Sequence, residues 1–228
     1  MGFEDTKLRL PKNANVVVTG TPSKIKKGEL SNDEKINKRK ENNLKIDMPL
    51  VLVFGGSQGA RSINEALLGI IENKLNKDYQ IIWAAGQSNY PNLKKELLEK
   101  KIDIDKIENV KILPYIYNMQ EIMEISDLIV CRSGAMTITE ISTLGKPAIF
   151  IPFPFATENH QEYNAKVLAN VGAAKIILDK DLTYTILNKE INSMVKDKEN
   201  LKKMGQKAYS VAKENVEEKI YKEIKNTI

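Results

Sequence analysis

The chain has 228 residues, of which 42% are hydrophobic and 29% charged, so it can bury one large core or two small ones. Its formal charge is +5, but lysines and glutamates are interleaved, which is typical of solvated helix surfaces and argues against a nucleic-acid-binding protein. The single cysteine, Cys131, excludes an internal disulfide and suits a reducing compartment; with His160 as the only histidine, it leaves no plausible zinc cluster. No apolar stretch approaches the roughly 18 residues of a membrane-spanning helix, and the amino terminus lacks a signal-peptide core, so we expect neither a transmembrane nor a secreted protein.

The amino-terminal residues are polar and irregular. Residues 1–14 are predicted to be an interdomain lead-in, which would make the chain part of a longer protein, and residues 15–228 are predicted to form one domain. The first candidate strand is Val16–Thr19. The stretch Ser23–Asp47 is rich in Lys, Asn and Glu, and is expected to be a surface helix or a mobile linker.

Apolar, β-branched runs alternate with amphipathic segments over the rest of the chain. This alternation predicts βαβ units and a Rossmann-like, doubly wound α/β fold around a parallel sheet. Continuous apolar runs are typical of parallel strands that are buried on both faces. The further candidate strands are Leu50–Phe54, Gln80–Ala84, Val110–Leu113, Leu128–Cys131, Ala148–Ile151 and Ala174–Ile177. The candidate helices are Ser62–Asn73, Leu93–Lys101, Met119–Ile125, Met136–Leu144, Gln161–Asn170, Ile186–Val195 and a charged helical tail from Lys196.

The most informative segment is Ser-Gly-Ala-Met-Thr-Ile-Thr-Glu at residues 133–140, directly after a candidate strand. Small residues between a strand and a helix leave free backbone N–H groups at the positive end of the helix dipole, which favours an anion. Glu140, about one turn into the helix, could accept two hydrogen bonds from a ribose diol, although an exposed helical acid is the alternative interpretation. Arg132 could bind phosphate or pair with a nearby carboxylate. Phosphate donors beside a ribose acceptor predict a sugar-nucleotide site.

A second strand–turn–helix unit lies upstream, where Leu50–Phe54 is followed by Gly-Gly-Ser-Gln-Gly-Ala at residues 55–60. The motif is neither the dinucleotide-binding fingerprint nor a Walker sequence. Its glycines permit a tight turn and the close approach of a ligand, and the Ser57 hydroxyl could donate to phosphate; a purely structural turn is the alternative. Both units are expected at the carboxyl edge of the sheet, where ligands of such folds bind.

Two further loops are expected at the same edge. In the loop 152–165, His160 and Gln161 would lie where a sugar attached to the diphosphate projects, and an amide can both donate to and accept from a pair of hydroxyls. The alternative is a plain helix start capped by Asn159. The segment 113–119 offers aromatic and apolar surface with free backbone groups for a flat base, or is simply part of the core.

In this order and spacing, the motifs Gly-Gly-Ser-Gln-Gly-Ala, Ser-Gly-Ala-Met-Thr-Ile-Thr-Glu and Asn-His-Gln resemble the donor half of the MurG family of bacterial transferases. The similarity extends from about Val16 to the carboxyl end. The family adds N-acetylglucosamine to lipid I, the undecaprenyl-diphosphate-linked muramyl-pentapeptide, to make lipid II for peptidoglycan. The resemblance implies the carboxyl-terminal half of a GT-B glycosyltransferase, which binds UDP-N-acetylglucosamine without a cofactor or a metal clamp. It also implies a peripheral protein at the cytoplasmic face of the membrane, which contacts lipid I and the bilayer through an amino-terminal domain that this sequence lacks.

Carried onto this sequence, the resemblance implies donor contacts but no catalytic residue. The diphosphate is expected on Ser57 and the amides of Ala135, Met136 and Thr137, the ribose on Glu140, the uracil edge on the backbone at Ile116, and the sugar on Gln161 helped by His160. Lys24 matches the arginine of the family's Gly-Asn-Pro-x-Arg motif, and lysine keeps the charge but loses the planar fork. Because the family's general base belongs to the amino-terminal domain, the chain is expected to be inactive alone.

Other classes of protein fit the sequence less well. A stand-alone donor subunit of a split GT-B glycosyltransferase would keep the fold and the site, but the lead-in Phe3–Lys12 resembles the family's interdomain segment. A basic nucleic-acid binder would need lysines on one face together with exposed aromatics. A nucleotide-sugar epimerase shares the fold, but no acid/base pair for it is evident in this sequence.

Overall fold

The computed structural model describes residues 2, 11, 13–28, 30–56 and 58–227, with only the backbone at Asp105 and Thr227. The strands of its central sheet are β1 (Leu50–Phe54), β2 (Gln80–Ala84), β3 (Val110–Leu113), β4 (Leu128–Cys131), β5 (Ala148–Phe150) and β6 (Ala174–Ile176). The α-helices are α1 (Asn32–Glu41), α2 (Arg61–Glu72), α3 (Tyr90–Glu99), α4 (Met119–Ile125), α5 (Ala135–Thr143), α6 (His160–Asn170), α7 (Tyr184–Val195), α8 (Lys198–Ser210) and α9 (Val216–Thr227). Within these described residues, no helix is long and apolar enough to cross a membrane.

The six strands are all parallel and lie in the order β3-β2-β1-β4-β5-β6. The strand order therefore reverses between β1 and β4, and the crossover helices cover both faces of the sheet. This confirms the predicted Rossmann-like, doubly wound α/β fold. Ligands of such sheets bind at the carboxyl edge beside the reversal.

Helices bury the sheet on both faces, and every residue of β1, β2 and β4 is buried. On one face, Val51 and Val53 of β1 join apolar residues of α2, α3 and α7. On the other face, Leu50, Leu52 and Phe54 join residues of α4, α5 and α6. Alternate side chains of a strand enter different cores, so apolar residues are favoured at every position of such strands.

The prediction of a strand at Val16–Thr19 is wrong. Those residues form no part of the six-stranded sheet, and the Val17 side chain is 46% exposed. β-branched residues favour an extended backbone, but sheet formation also needs an adjacent strand with which to pair. The other strands and helices lie where they were predicted, with ends that differ by three residues or fewer, and the charged tail forms α8 and α9.

Of the two interpretations of Ser23–Asp47, the surface helix is the one observed, as α1. Its Arg39 guanidinium donates to the carbonyl oxygen of Ile125 and to Asp127 Oδ2, both at 2.7 Å. The buried Gln80 amide of β2 donates to the carbonyl oxygen of Met48 at 2.8 Å. These bonds attach α1 and the loop after it to the amino edge of the sheet.

Candidate functional site

A cavity of about 580 Å³ opens at the carboxyl edge of the sheet, beside the reversal of strand order. It lies between the loops that follow β1, β4 and β5, and the first turns of α2 and α5 border it. Its lining brings together parts of three of the predicted motifs, represented by Gly55, Gly56, Gly59, Ala60, Gly134, Thr137 and Gln161.

The beginning of α5 presents free hydrogen-bond donors. The first backbone bond of the helix runs from Ile138 N to the Gly134 carbonyl oxygen at 3.0 Å, so the N–H groups of Ala135, Met136 and Thr137 have no acceptor among the described residues. A Cβ placed on Gly134 would meet nothing closer than Thr137 Oγ1 at 3.8 Å, so the protein leaves open space in front of the helix. Converging N–H groups at the positive end of a helix dipole favour a phosphate oxygen.

The glycine loop after β1 is fixed from two sides. Gly59 N donates to the Gly56 carbonyl oxygen at 3.0 Å, which closes the turn. Asn89, just before α3, donates from Nδ2 to the Gln58 carbonyl oxygen at 2.6 Å and so attaches the loop to the next βα connection. Ser57 lies outside the described residues, and its contact with the diphosphate stays a prediction.

Arg132 is held by protein groups. Its Nη1 pairs with Asp179 and donates to the Ile151 carbonyl oxygen at 3.0 Å, and its Nη2 donates to Ser62 Oγ at 3.0 Å. The Ser62 hydroxyl in turn donates to Asp179 Oδ1 at 2.7 Å. Of the two roles open to Arg132 from sequence, the structure has the pairing with a carboxylate. Sequence reasoning missed Asp179, although a polar residue soon after β6, at this same edge, was an available signal.

Gln161 joins the loops after β4 and β5. Its Oε1 accepts hydrogen bonds from Ser133 N at 3.2 Å and Phe153 N at 3.0 Å. Both acceptor positions are thereby used, and only the Nε2 group is left to donate into the cavity. This corrects the expectation that the amide both donates to and accepts from a sugar. His160 is exposed and outside the lining of the cavity, with Nδ1 at 2.9 Å from the Thr157 carbonyl oxygen.

Glu140 lies further along α5, beyond the lining of the cavity and half-buried. No described residue gives its carboxylate a hydrogen bond or an ion pair, and burial raises the pKa of the Glu140 carboxyl above its usual value. A desolvated carboxylate without a partner is destabilised, and a diol that donates two hydrogen bonds would relieve this.

Glu140→Gln is expected to raise the free energy of unfolding at pH 8 by roughly 0.5 kcal/mol, because the burial penalty falls on the ionised carboxylate. The penalty is fully present above the raised folded-state pKa and is lost as the pH falls below the ordinary value of 4.5. Urea unfolding of both proteins at pH 8 and at pH 4 measures this, with exposed Glu108→Gln as the control. A variant less stable than the wild type at pH 8 would show that Glu140 already has a stabilising partner.

The remaining predicted residues lie apart from the cavity. The Ile116 side chain is buried under the loop after β3, while its backbone N–H and C=O make no hydrogen bond with any described residue. Lys24 is exposed in the segment before α1 and does not line the cavity. Asn159 occupies the N-cap position of α6, but its side chain caps no backbone N–H.

The strand order and the two covered faces define a Rossmann-like, doubly wound α/β domain. It is of the kind that forms the carboxyl-terminal half of GT-B glycosyltransferases. Residues 50–224 match the model of the glycosyltransferase family 28 C-terminal domain. The chain belongs to this family.

Individual relatives agree with the family assignment. The UDP-N-acetylglucosamine--N-acetylmuramyl-(pentapeptide) pyrophosphoryl-undecaprenol N-acetylglucosamine transferase of Acetivibrio thermocellus is 38% identical over 227 residues, which cover 99% of this chain and 59% of the relative. The transferase of the same name from Desulforamulus reducens is 39% identical over 212 residues, which cover 92% of this chain and 56% of that relative. The crystal structure of Acinetobacter baumannii MurG matches with a TM-score of 0.75 at 29% identity, covering 99% of this chain and 59% of that one. The resemblance to MurG transferases is confirmed, and the chain spans about three-fifths of the length of these relatives.

Proposed function

We propose that this chain is the donor-binding part of an N-acetylglucosamine transferase and that its cavity binds UDP-N-acetylglucosamine. The observation that carries the proposal is the set of free N–H groups at Ala135, Met136 and Thr137, followed one turn later by the partnerless carboxylate of Glu140. The helix start would bind the diphosphate together with Ser57. Glu140 would accept hydrogen bonds from the two ribose hydroxyls.

The uracil ring and the N-acetylglucosamine group of the donor are assigned to neighbouring loops. The free backbone groups of Ile116 would read the uracil edge, and Gln161 Nε2 would donate to a hydroxyl oxygen of the sugar. His160, next to Gln161, and Lys24 are exposed, and in this proposal they reach the donor only when the site closes.

The reaction that fits is an inverting displacement. An acceptor hydroxyl oxygen attacks the anomeric carbon, the bond from that carbon to the diphosphate oxygen breaks, and UDP leaves with the electron pair while the hydroxyl proton passes to a general base. The donors at the start of α5 would stabilise the negative charge that develops on the leaving diphosphate. In this mechanism the chain supports departure of the leaving group and contributes no base.

The names of the relatives support lipid I as the acceptor and lipid II, for peptidoglycan, as the product. Because the chain covers only part of each relative, we assign the acceptor site, the general base and the contact with the cytoplasmic face of the membrane to residues outside it. The chain alone is then expected to bind donor without transferring sugar to lipid I.

Calorimetric titration with UDP-N-acetylglucosamine tests the proposal, with UDP-glucose and GDP-mannose titrated separately as controls. We expect selective binding of the first ligand, and about 100-fold weaker binding by Glu140→Ala, because two charge-assisted hydrogen bonds are lost. The affinity of the wild type should also fall as the pH drops through the raised pKa of Glu140, since the protonated carboxyl accepts less well.

The matched control is Glu108→Ala, which removes an exposed carboxylate far along the chain and should leave the affinity unchanged. A folded wild-type chain that binds none of the three nucleotides would overturn the proposal. Equal affinity of the wild type and Glu140→Ala would remove Glu140 from the site.

A further inference from the structure

A second cavity, of about 830 Å³, lies at the amino edge of the sheet, opposite the proposed donor site. It is bounded by α1, α8 and the loops that lead into β1, β4 and β5. Its described lining carries two carboxylates, Asp47 and Asp127, against six basic side chains, so positive charge is in excess. The basic residues are Lys27, Lys35, Arg39, Lys146, Lys198 and Lys202.

Lys146 is held by two backbone carbonyl groups. Its Nζ donates to the carbonyl oxygens of Glu124 at 2.7 Å and Ser126 at 2.9 Å, which leaves the third N–H of the ammonium group without an acceptor among the described residues. Burial, with a smaller effect of Lys35, lowers the pKa of the Lys146 ammonium to about 8, against the opposing charges of Asp127 and Glu124. The protein therefore holds a poorly solvated cation beside an open cavity.

The other cations are only partly neutralised. Arg39 is paired with Asp127 at 2.7 Å, and Lys27 lies 4.8 Å from the centre of the Tyr209 ring. Within the described part of the chain, three cations, Lys35 on α1 and Lys198 and Lys202 on α8, have no carboxylate partner. Like charges that converge from separate elements repel one another unless an anion lies between them.

We propose that this cavity, which we call the basic cavity, binds a phosphate-class polyanion with the charge and size of pyrophosphate. Its oxygens would accept hydrogen bonds from Lys146, Lys35 and Lys202, which approach from a loop and two helices. Binding would favour the protonated form of Lys146, so it should take up a proton above about pH 8. A soluble phosphate ester and a phospholipid headgroup offer the same chemistry, and the test separates them.

The test compares two double variants with equal loss of charge. Lys35→Gln with Lys202→Gln removes two cations of the basic cavity, whereas Lys40→Gln with Lys203→Gln removes exposed lysines of the same two helices that do not line it. Pyrophosphate is titrated calorimetrically into each folded protein, with UDP present in excess to occupy the donor site. We expect at least about tenfold weaker binding by the cavity variant and wild-type binding by the control; equal affinities of the two would overturn the proposal.

A second arm identifies the source of the phosphate. Binding to vesicles that contain phosphatidic acid, whose phosphate monoester can carry two negative charges, but not to phosphatidylcholine vesicles would identify a lipid headgroup if it is lost only in the cavity variant. Binding of pyrophosphate alone would identify a soluble ligand. Failure of the wild type to bind either anion would overturn the proposal. Both variants lie at the edge opposite the donor site, so a failed donor proposal would appear separately, as absent binding of UDP-N-acetylglucosamine by the wild type.

Discussion

Replacing Arg132 with methionine is expected to lower the free energy of unfolding by about 3 kcal/mol, because it leaves Asp179 largely buried without its cation. The guanidinium also binds the Ile151 carbonyl oxygen and the Ser62 hydroxyl, so three separate segments of the chain lose a common partner. Urea unfolding followed by circular dichroism measures the change. Donor affinity should fall as well, since Ser62 lies in the first turn of α2 at the edge of the cavity.

The control for this variant is Arg61→Met. Arg61 Nε lies 2.7 Å from Glu65 Oε1, but the two side chains are 87% and 60% exposed, and such a pair contributes at most about 0.5 kcal/mol. Equal losses of stability in the two variants would contradict the importance of burial for Arg132. A double variant that also changes Asp179 to asparagine should recover part of the stability, because no unpaired charge then remains.

Gly59→Ala is expected to lower the free energy of unfolding by about 3 kcal/mol and to abolish binding of UDP-N-acetylglucosamine. Gly59 has φ +76°, and a Cβ there would lie 2.2 Å from the Ala85 carbonyl oxygen and 2.8 Å from Asn89 Nδ2. The loop would have to leave the position that borders the cavity. Thermal unfolding and donor calorimetry on the same sample measure the two effects.

Gly56→Ala provides the comparison for stability. Gly56 also has a positive φ, +90°, but a Cβ on it would meet no atom within 4 Å. Only backbone strain remains, for which we expect about 1 kcal/mol. If Gly59→Ala proved no more destabilising than Gly56→Ala, the close contact with Ala85 could not be what selects glycine at position 59.

The sheet was readable from the sequence because its strands are buried on both faces. Runs such as Leu50–Phe54 and Leu128–Cys131 are apolar at every position, which is typical of parallel strands that are buried on both faces. Val16–Thr19 has a similar local composition but forms no part of the sheet. Local propensity does not reveal whether a neighbouring edge is free to pair, which depends on how the whole chain folds.

Parts of the candidate site were readable for a similar reason. Small residues between β4 and α5 left no side chain to cap the helix, so the free N–H groups of Ala135, Met136 and Thr137 followed from local sequence. The partners of Arg132 and Gln161 did not. Asp179 lies 47 residues from Arg132 along the chain, and the N–H groups that occupy Gln161 Oε1 become available only once two loops have taken their shape.

Because α1 is attached to the sheet, the packed domain begins before the first residue that matches the family model. The family match begins at residue 50, yet Arg39 neutralises Asp127 and binds the Ile125 carbonyl oxygen, while Leu30 and Leu44 pack against one of the two cores. A chain trimmed to the matched residues would therefore keep all six strands. It would expose apolar surface at their amino edge and leave the Asp127 carboxylate without its Arg39 partner. The segment that matches the family model is thus shorter than the segment that packs together as the domain.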